Sequence, residues 1–340
     1  MFSLPDEDSH PTKFADWLEL SALCSPNGRV GISELVSGTD LGENEESEDW
    51  SDDDVRQDHI VISTQSEIED RRRIIGSDYP FKMDESGRHF SFTGGITPVG
   101  GVYLFSLFLS HAQDRTIIPE ALAPKMNNYA RNLFQACSTV AAGGYVRGVA
   151  RSFGWPRPDH TAFLEALKIT YKAFGDGVPV DKPRPAAPKW IKDGGIDIIA
   201  WERSIDGLAG TQYLIAQVAS GENWKDKSVR SDAEILHEWW FTQRPASRHQ
   251  CAMFMPFCIE PEEGDDEDVT PQEMLADYMK LLTMEFGVVF YRYRLAHYAA
   301  KGLRLTEAGH VGVEGVGELQ HIVDWVEQYR SELCARAAAN

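Results

Sequence analysis

The chain has 340 residues, 42% apolar and 25% charged, a balance that fits a folded protein with about two cores. No apolar run approaches the roughly 18 residues of a membrane span, and a formal net charge of -20 excludes a general nucleic-acid coat protein. The five cysteines (Cys24, Cys137, Cys251, Cys258, Cys334) are scattered without a Cys-x-x-Cys pair, which argues against zinc and a disulfide framework; with no signal peptide in MFSLPDEDSH, the expected location is cytoplasmic.

In chain order, residues 11–24 have the apolar spacing of a helix, and Ser25-Pro26-Asn27-Gly28 is a turn. The acidic stretch 38–58 reads as a long exposed loop, followed by a short strand at 60–63 and a charged helix at 66–75. A brief strand is expected at 89–92 and a buried helix at 101–112. Residues 1–125 thus form a mainly helical accessory region. From there the pattern predicts helices at 126–153 and 161–174, the second capped by Gly175, then a Pro-rich extended piece at 178–188. Two short strands follow within 192–227, then a helix at 231–241 with Ser231 as its cap and an apolar strand at 250–259. Thr270-Pro271-Gln272-Glu273 has the form of a capping box and predicts a long helix to about residue 300. A last amphipathic helix covers 317–337. Residues 126–340 therefore read as an α/β domain with a central sheet, core 161–259 and C-terminal helices at 271–337, giving an α+β chain overall.

Charge is distributed unevenly. Acidic blocks lie at 43–54 and 260–268, whereas residues 145–192 are rich in Arg and Lys (Arg147, Arg151, Arg157, Lys168, Lys172, Lys182, Arg184, Lys189, Lys192). The acidic blocks suit solvated loops better than metal sites. No phosphate-binding Gly-x-x-x-x-Gly-Lys loop, dinucleotide fingerprint, Gly-x-Ser-x-Gly elbow or paired helix histidines are present.

The informative stretch is KDGGIDIIAWERSIDGLAGTQYLIAQVASGENWKDK, residues 192–227. Each apolar strand carries one hydrophilic residue: Asp197 beside Ile196 and Ile198, and Gln217 between Ala216 and Val218. Strand alternation puts Asp197 with Ile199 and Trp201, and Gln217 with Tyr213 and Ile215. Burying such groups unpaired costs roughly 2–7 kcal/mol each, so both need partners: a divalent ion, an Arg or a backbone donor.

Asp193-Gly194-Gly195-Ile196-Asp197-Ile198-Ile199, a loop, and a strand ending in Gln217 resemble the catalytic core of the Mrr-type restriction endonucleases of the PD-(D/E)XK nuclease superfamily. That core runs helix, strand hairpin carrying an Asp and then a Glu/Gln-x-Lys, helix and strand. The resemblance implies a restriction-endonuclease-like domain that cuts DNA, duplex in preference to RNA, with Mg²⁺ or Mn²⁺ in prokaryotic restriction or anti-phage defence, alongside a protein partner or as a homo-oligomer and without a membrane. It implies Asp197 as principal metal ligand, Gln217 as an amide-oxygen ligand and Glu165 on the preceding helix as a third. The family's lysine would fall at Ala219, so Lys225 or Lys227 is expected to take its place. The competing reading is a catalytically inactive nuclease fold serving as a binding or scaffold subunit. Locally, Asp193-Gly194-Gly195 also reads as a plain turn with Asp197 capping a backbone group, Gln217 as a core amide and Glu165 as an ordinary helix residue. Trp239 and Trp240 read as core packing, His237 and His249 as core or surface residues, and Arg230, Arg244 and Arg248 as a phosphate-binding groove or a solvated loop.

Overall fold

The computed structural model describes residues 2–37, 50–157, 159–187, 191–261, 269–310 and 312–338. The chain forms two compact units, Met1–Met126 with Ile322–Asn340, and Asn127–His321. It is a mixed α/β protein, about 51% helical.

In the first unit, α1 (Pro11–Cys24) starts where the His10 ring accepts from the Thr12 amide and Pro11 takes the first helical position. After β1 (Arg29–Gly31) and α2 (Glu34–Ser37), one helix, α3 (Trp50–Ile75), occupies the region expected to hold a loop end, a strand and a shorter helix. The local run Ile60-Val61-Ile62 looks strand-like, but burial falls on Ile60, Thr64, Ile68, Arg71 and Ile75, a helical spacing that the tertiary packing rewards. The acidic residues 43–49 lie outside the described residues. β2 (Phe81–Met83) and β3 (His89–Phe92) complete an antiparallel sheet of order β1-β3-β2, so the region expected to be mainly helical also carries a sheet. α4 (Pro98–Ser110), capped by Thr97 on the Gly100 amide, is buried on nearly every side, as its apolar run predicts.

Arg71, fully buried, organises this unit's polar interior. Its guanidinium lies 2.7 Å from Asp16, 3.0 Å from Glu19 and 2.9 Å from Glu67. Glu19, also fully buried, accepts from the Tyr79 and Tyr103 hydroxyls, and the His111 ring meets Asp16 at 3.0 Å.

The second unit begins with α5 (Asn128–Val146), shorter than the expected 126–153 helix. Arg147 takes a left-handed conformation at its end, and the chain turns into β4 (Val149–Ser152), which pairs antiparallel with β6. α6 (Phe163–Phe174) ends on left-handed Gly175. Among its described residues, the Pro-rich stretch contributes only β5 (Val178–Pro179), paired with β8 (Phe241–Gln243). β6 (Ile198–Trp201) and β7 (Tyr213–Val218) form the expected hairpin, Ile199 opposite Ile215 and Trp201 opposite Tyr213. α7 (Val229–Trp240) starts after Ser228 with no side-chain cap, two residues before the expected Ser231. β9 (His249–Phe254) runs parallel to β7.

Thr270 and Glu273 form the predicted capping box of α8 (Pro271–Phe286), but that helix stops well short of residue 300. Gly287 has φ 82° and sits where a Cβ would lie 2.0 Å from the Cys251 carbonyl oxygen, so the chain leaves the helix and adds β10 (Val288–Phe290) beside β9 before α9 (Arg292–Glu307). The resulting mixed sheet has order β10-β9-β7-β6-β4. Ile199, Trp201, Tyr213 and Ile215 share a core with Phe163, Leu167 and Tyr171 of α6 and Val229, Leu236 and Trp240 of α7. α5 packs on α9 and against β4, β6 and β7.

α10 (Leu319–Ala338) ends the described chain, and from Ile322 onward it belongs to the first unit. There Trp325 meets Phe105 edge-on at 4.8 Å and the Tyr329 hydroxyl donates to the Leu122 carbonyl.

Candidate functional site

The site starts from a turn. Gly194 and Gly195 adopt φ 67° and 78°, and the Gly195 amide donates to Asp193 Oδ1 at 3.0 Å. The turn delivers Asp197 to the entry of β6. There its carbonyl oxygen accepts from the Phe153 amide (2.7 Å), the Gly154 amide (2.9 Å) and Gln135 Nε2 (2.6 Å), and its amide donates to the Ala216 carbonyl (2.9 Å). Four hydrogen bonds to the Asp197 backbone therefore fix where the side chain emerges. Asp197 Oδ2 accepts from the Val218 amide at 2.7 Å, so the backbone-capping reading holds for one carboxylate oxygen.

On β7, directly after Ala216, whose carbonyl takes the Asp197 amide, stands Gln217, only 4% exposed. Its Nε2 lies 2.6 Å from the Gly195 carbonyl oxygen and 2.6 Å from Asp232 Oδ2. Its Oε1 is buried and, among the described residues, has no hydrogen-bond partner. Asp232 comes from the first turn of α7. Lys227, directly after the short 3-10 turn Glu222–Asp226, reaches back to donate to the Val218 carbonyl at 3.0 Å. Asp197, Gln217, Lys227 and Asp232 thus form one connected group at the end of the hairpin, with Asp193 in its field.

Burial pushes the Asp197 carboxyl up to about 6, opposed by the positive charge of Lys227 and the Val218 amide and reinforced by Asp193 and Asp232. Asp232 is raised as well, chiefly by burial, with its Gln217 hydrogen bond and Lys227 pulling the other way. Several carboxylates share one ammonium here. Among the described residues no group of three or more His, Cys, Asp and Glu side chains is arranged to hold a metal ion. The oxygens at hand are instead the buried Gln217 Oε1 and the Asp197 carboxylate, one of whose oxygens accepts from the Val218 amide. That donor pair suits a hard ion such as Mg²⁺, which takes one or two protein ligands and fills the rest with water and phosphate oxygens.

Other candidate residues are not part of this group. Glu165 is exposed in the first turn of α6 and makes none of these contacts. Lys225 is exposed, its ammonium over the rings of Trp224 (5.8 Å) and Tyr278 (6.0 Å). Ala219, the position where the family carries lysine, is 2% exposed in the core. Arg230 donates to the carbonyls of Thr283 and Glu285 at the end of α8, and Arg244 pairs with Glu234 and Glu238, so neither offers a free phosphate contact; Arg248 is exposed. In the basic stretch, Arg157 is buried and donates to the carbonyls of Phe153, Thr161 and Lys192, and Arg151 pairs with Glu314. Arg147, Lys172, Lys182 and Lys192 remain exposed, whereas Lys189 lies outside the described residues. Trp240 packs edge-on against Phe163 at 4.8 Å, and Trp239 carries the Arg184 guanidinium. His237 is buried against Tyr213 and His249; burial, His249 and Arg244 push it down to about 4 and keep it neutral.

A cleft of about 660 Å³ also opens in this unit, walled by α5, β4 and α6. Gln135 and Phe153, which hold the Asp197 carbonyl, line it, but Asp197, Gln217 and Lys227 do not.

Asp232 is the member that the sequence reading missed. Its signal was weak: an acidic residue in the first turn of a helix is ordinary, because the N-terminal end of a helix favours negative charge. Comparison of the chain with protein-family models, with curated proteins and with solved structures found no match in any of the three.

Proposed function

We propose that the second unit is a metal-dependent endodeoxyribonuclease with a restriction-endonuclease-like core. The order α6, hairpin β6–β7, α7, β9 supports this reading, since it is the order of that family's core. The observation that carries it is the meeting at one end of the hairpin of Asp197, whose carboxylate accepts from the Val218 amide, and the neighbouring Gln217, whose amide oxygen is buried and unpartnered, with Lys227 reaching back to the same end of β7. Asp197 and Gln217 are the residues that fit Mg²⁺ or Mn²⁺; when bound, the ion would offset charge developing on the scissile phosphate and lower the pKa of an attacking water. Lys227 substitutes for the lysine absent at position 219. Anchored on the Val218 carbonyl, it offers its remaining protons to water or to a phosphate oxygen. Asp197 is ionised, and so ready to act as a ligand, above pH about 6.

The test is cleavage of linear and supercoiled duplex DNA by the full chain in Mg²⁺ and in Mn²⁺. Asp197→Ala and Lys227→Ala should each lower the rate about 100-fold or more, while Lys225→Ala leaves it unchanged. Equal cleavage by wild type and Asp197→Ala would end this reading. The second reading, an inactive nuclease-fold subunit that binds a partner in a defence complex, draws on Ala219 and the net charge of -20. It predicts no cleavage and no heat of Mn²⁺ binding from the pure wild type. Prokaryotic restriction or anti-phage defence is the proposed setting for both, with a protein partner or a second copy of the chain expected on gel filtration with light scattering.

A further inference from the structure

Gln217 presents a carboxamide whose two ends must be told apart, and the surroundings do so. The Gly195 carbonyl oxygen and Asp232 Oδ2 each lie 2.6 Å from one terminal atom of the side chain. Both are acceptors, so that atom is the NH₂ group, and both of its protons are used. A flipped amide would set three oxygens against one another at hydrogen-bond distance. The other terminal atom, Oε1, is left buried with no partner. One acceptor is backbone, fixed by the Gly194–Gly195 turn; the other is a single side chain from α7.

We infer that Asp232 is a positioning residue whose carboxylate locks the Gln217 amide with its buried oxygen turned away from both acceptors, as a ready neutral ligand of the nuclease site. The inference deepens the nuclease reading and rests on it for the word ligand, but the orientation of the amide stands on the hydrogen bonds alone. Asp232 donates nothing to substrate. Together with the Gly195 carbonyl it holds the amide in one of its two orientations, much as carboxylates orient metal-binding histidines.

The test uses the full chain with selectively ¹⁵N-labelled glutamine, the Gln217 NH₂ signal being assigned by its loss in Gln217→Ala. In the wild type both amide protons should exchange slowly with solvent; in Asp232→Ala exchange should quicken at least about tenfold, and by less in Asp232→Asn, whose amide oxygen can still accept, since a buried hydrogen-bonded proton exchanges only on opening. Unchanged exchange in both variants overturns the inference. Calorimetry with Mn²⁺ alone is the second readout. Asp232→Asn should weaken binding roughly 10–100-fold in the wild-type background. In a Gln217→Glu background the same change should tighten binding, because it removes a like charge and gives the new carboxylate a donor. Weakening in both backgrounds would mean that Asp232 merely supports α7, which also overturns the inference. If exchange responds to Asp232 but the wild type takes up no Mn²⁺, the amide lock stands and the nuclease reading falls.

Discussion

The two units each bury a polar group of side chains, and they differ in how its charges are paired. In the first, the Arg71 guanidinium meets Asp16, Glu19 and Glu67, while Tyr79, Tyr103 and His111 supply further hydrogen bonds. Burial raises Glu19, and the adjacent Arg71 opposes that rise. In the second, Lys227 serves Asp197 and Asp232 from one side and Gln217 keeps an amide oxygen with nothing to bind. The first sets its carboxylates directly on one guanidinium and leaves His111 Nδ1 open; the second leaves open the amide oxygen of Gln217, and an unmet buried acceptor costs about 1–3 kcal/mol.

The contrast can be broken by substitution. Arg71→Ala strands three carboxylates and should destabilise the first unit by about 3–5 kcal/mol, read as a lowered midpoint in urea denaturation. Arg71→Met is the milder control, since it restores packing but not charge. Gly195→Ala comes next. A methyl group at φ 78° would stand 2.4 Å from Asp232 Oδ2, so strain and clash together should cost about 1–3 kcal/mol and quicken exchange at the Gln217 amide.

Asp197→Asn should act in the opposite direction. The folded carboxyl, at about 6, holds its proton more tightly than the unfolded one at 3.8, so the wild type loses stability as pH rises from about 4 through 6. The asparagine variant lacks this loss. It should be more stable than wild type by about 1–2 kcal/mol at pH 7.5, allowing for partial solvent screening, and the gap should close near pH 4. Equal pH profiles would show that Asp197 is no burden in the fold. The smallest effect belongs to Lys225→Ala, an exposed side chain over two rings, expected within about 0.5 kcal/mol of wild type in the same denaturation series.

The hairpin was legible in the sequence because of strand alternation, which sets Asp197 with Ile199 and Trp201 and Gln217 with Tyr213 and Ile215; that both sets share one face came only with the register. Lys227 was within reach of a sequence argument, Lys225 equally so, and only the path of the short turn at Glu222–Asp226 separates them. Asp232 needed three dimensions, since nothing local links α7 to the amide of Gln217. The long helix α3 was misread because Ile60 to Ile62 are β-branched, and branched residues report local preference while the packing of Ile68, Arg71 and Ile75 decides the outcome. The helix expected to run to residue 300 ended at a glycine that only the approach of the Cys251 carbonyl explains.

The return of α10 to the first unit carries a consequence for synthesis. Residues Asn127–His321 form a continuous stretch inserted into a discontinuous unit, so they hold all of their own contacts before the chain is finished. The first unit does not: Phe105 waits for Trp325, and the Leu122 carbonyl for Tyr329. On the ribosome, where folding otherwise proceeds from the N-terminus, the part made first would close last. A chain halted near residue 321 would then carry a folded inner unit beside an open outer one, a ready target for proteases and chaperones.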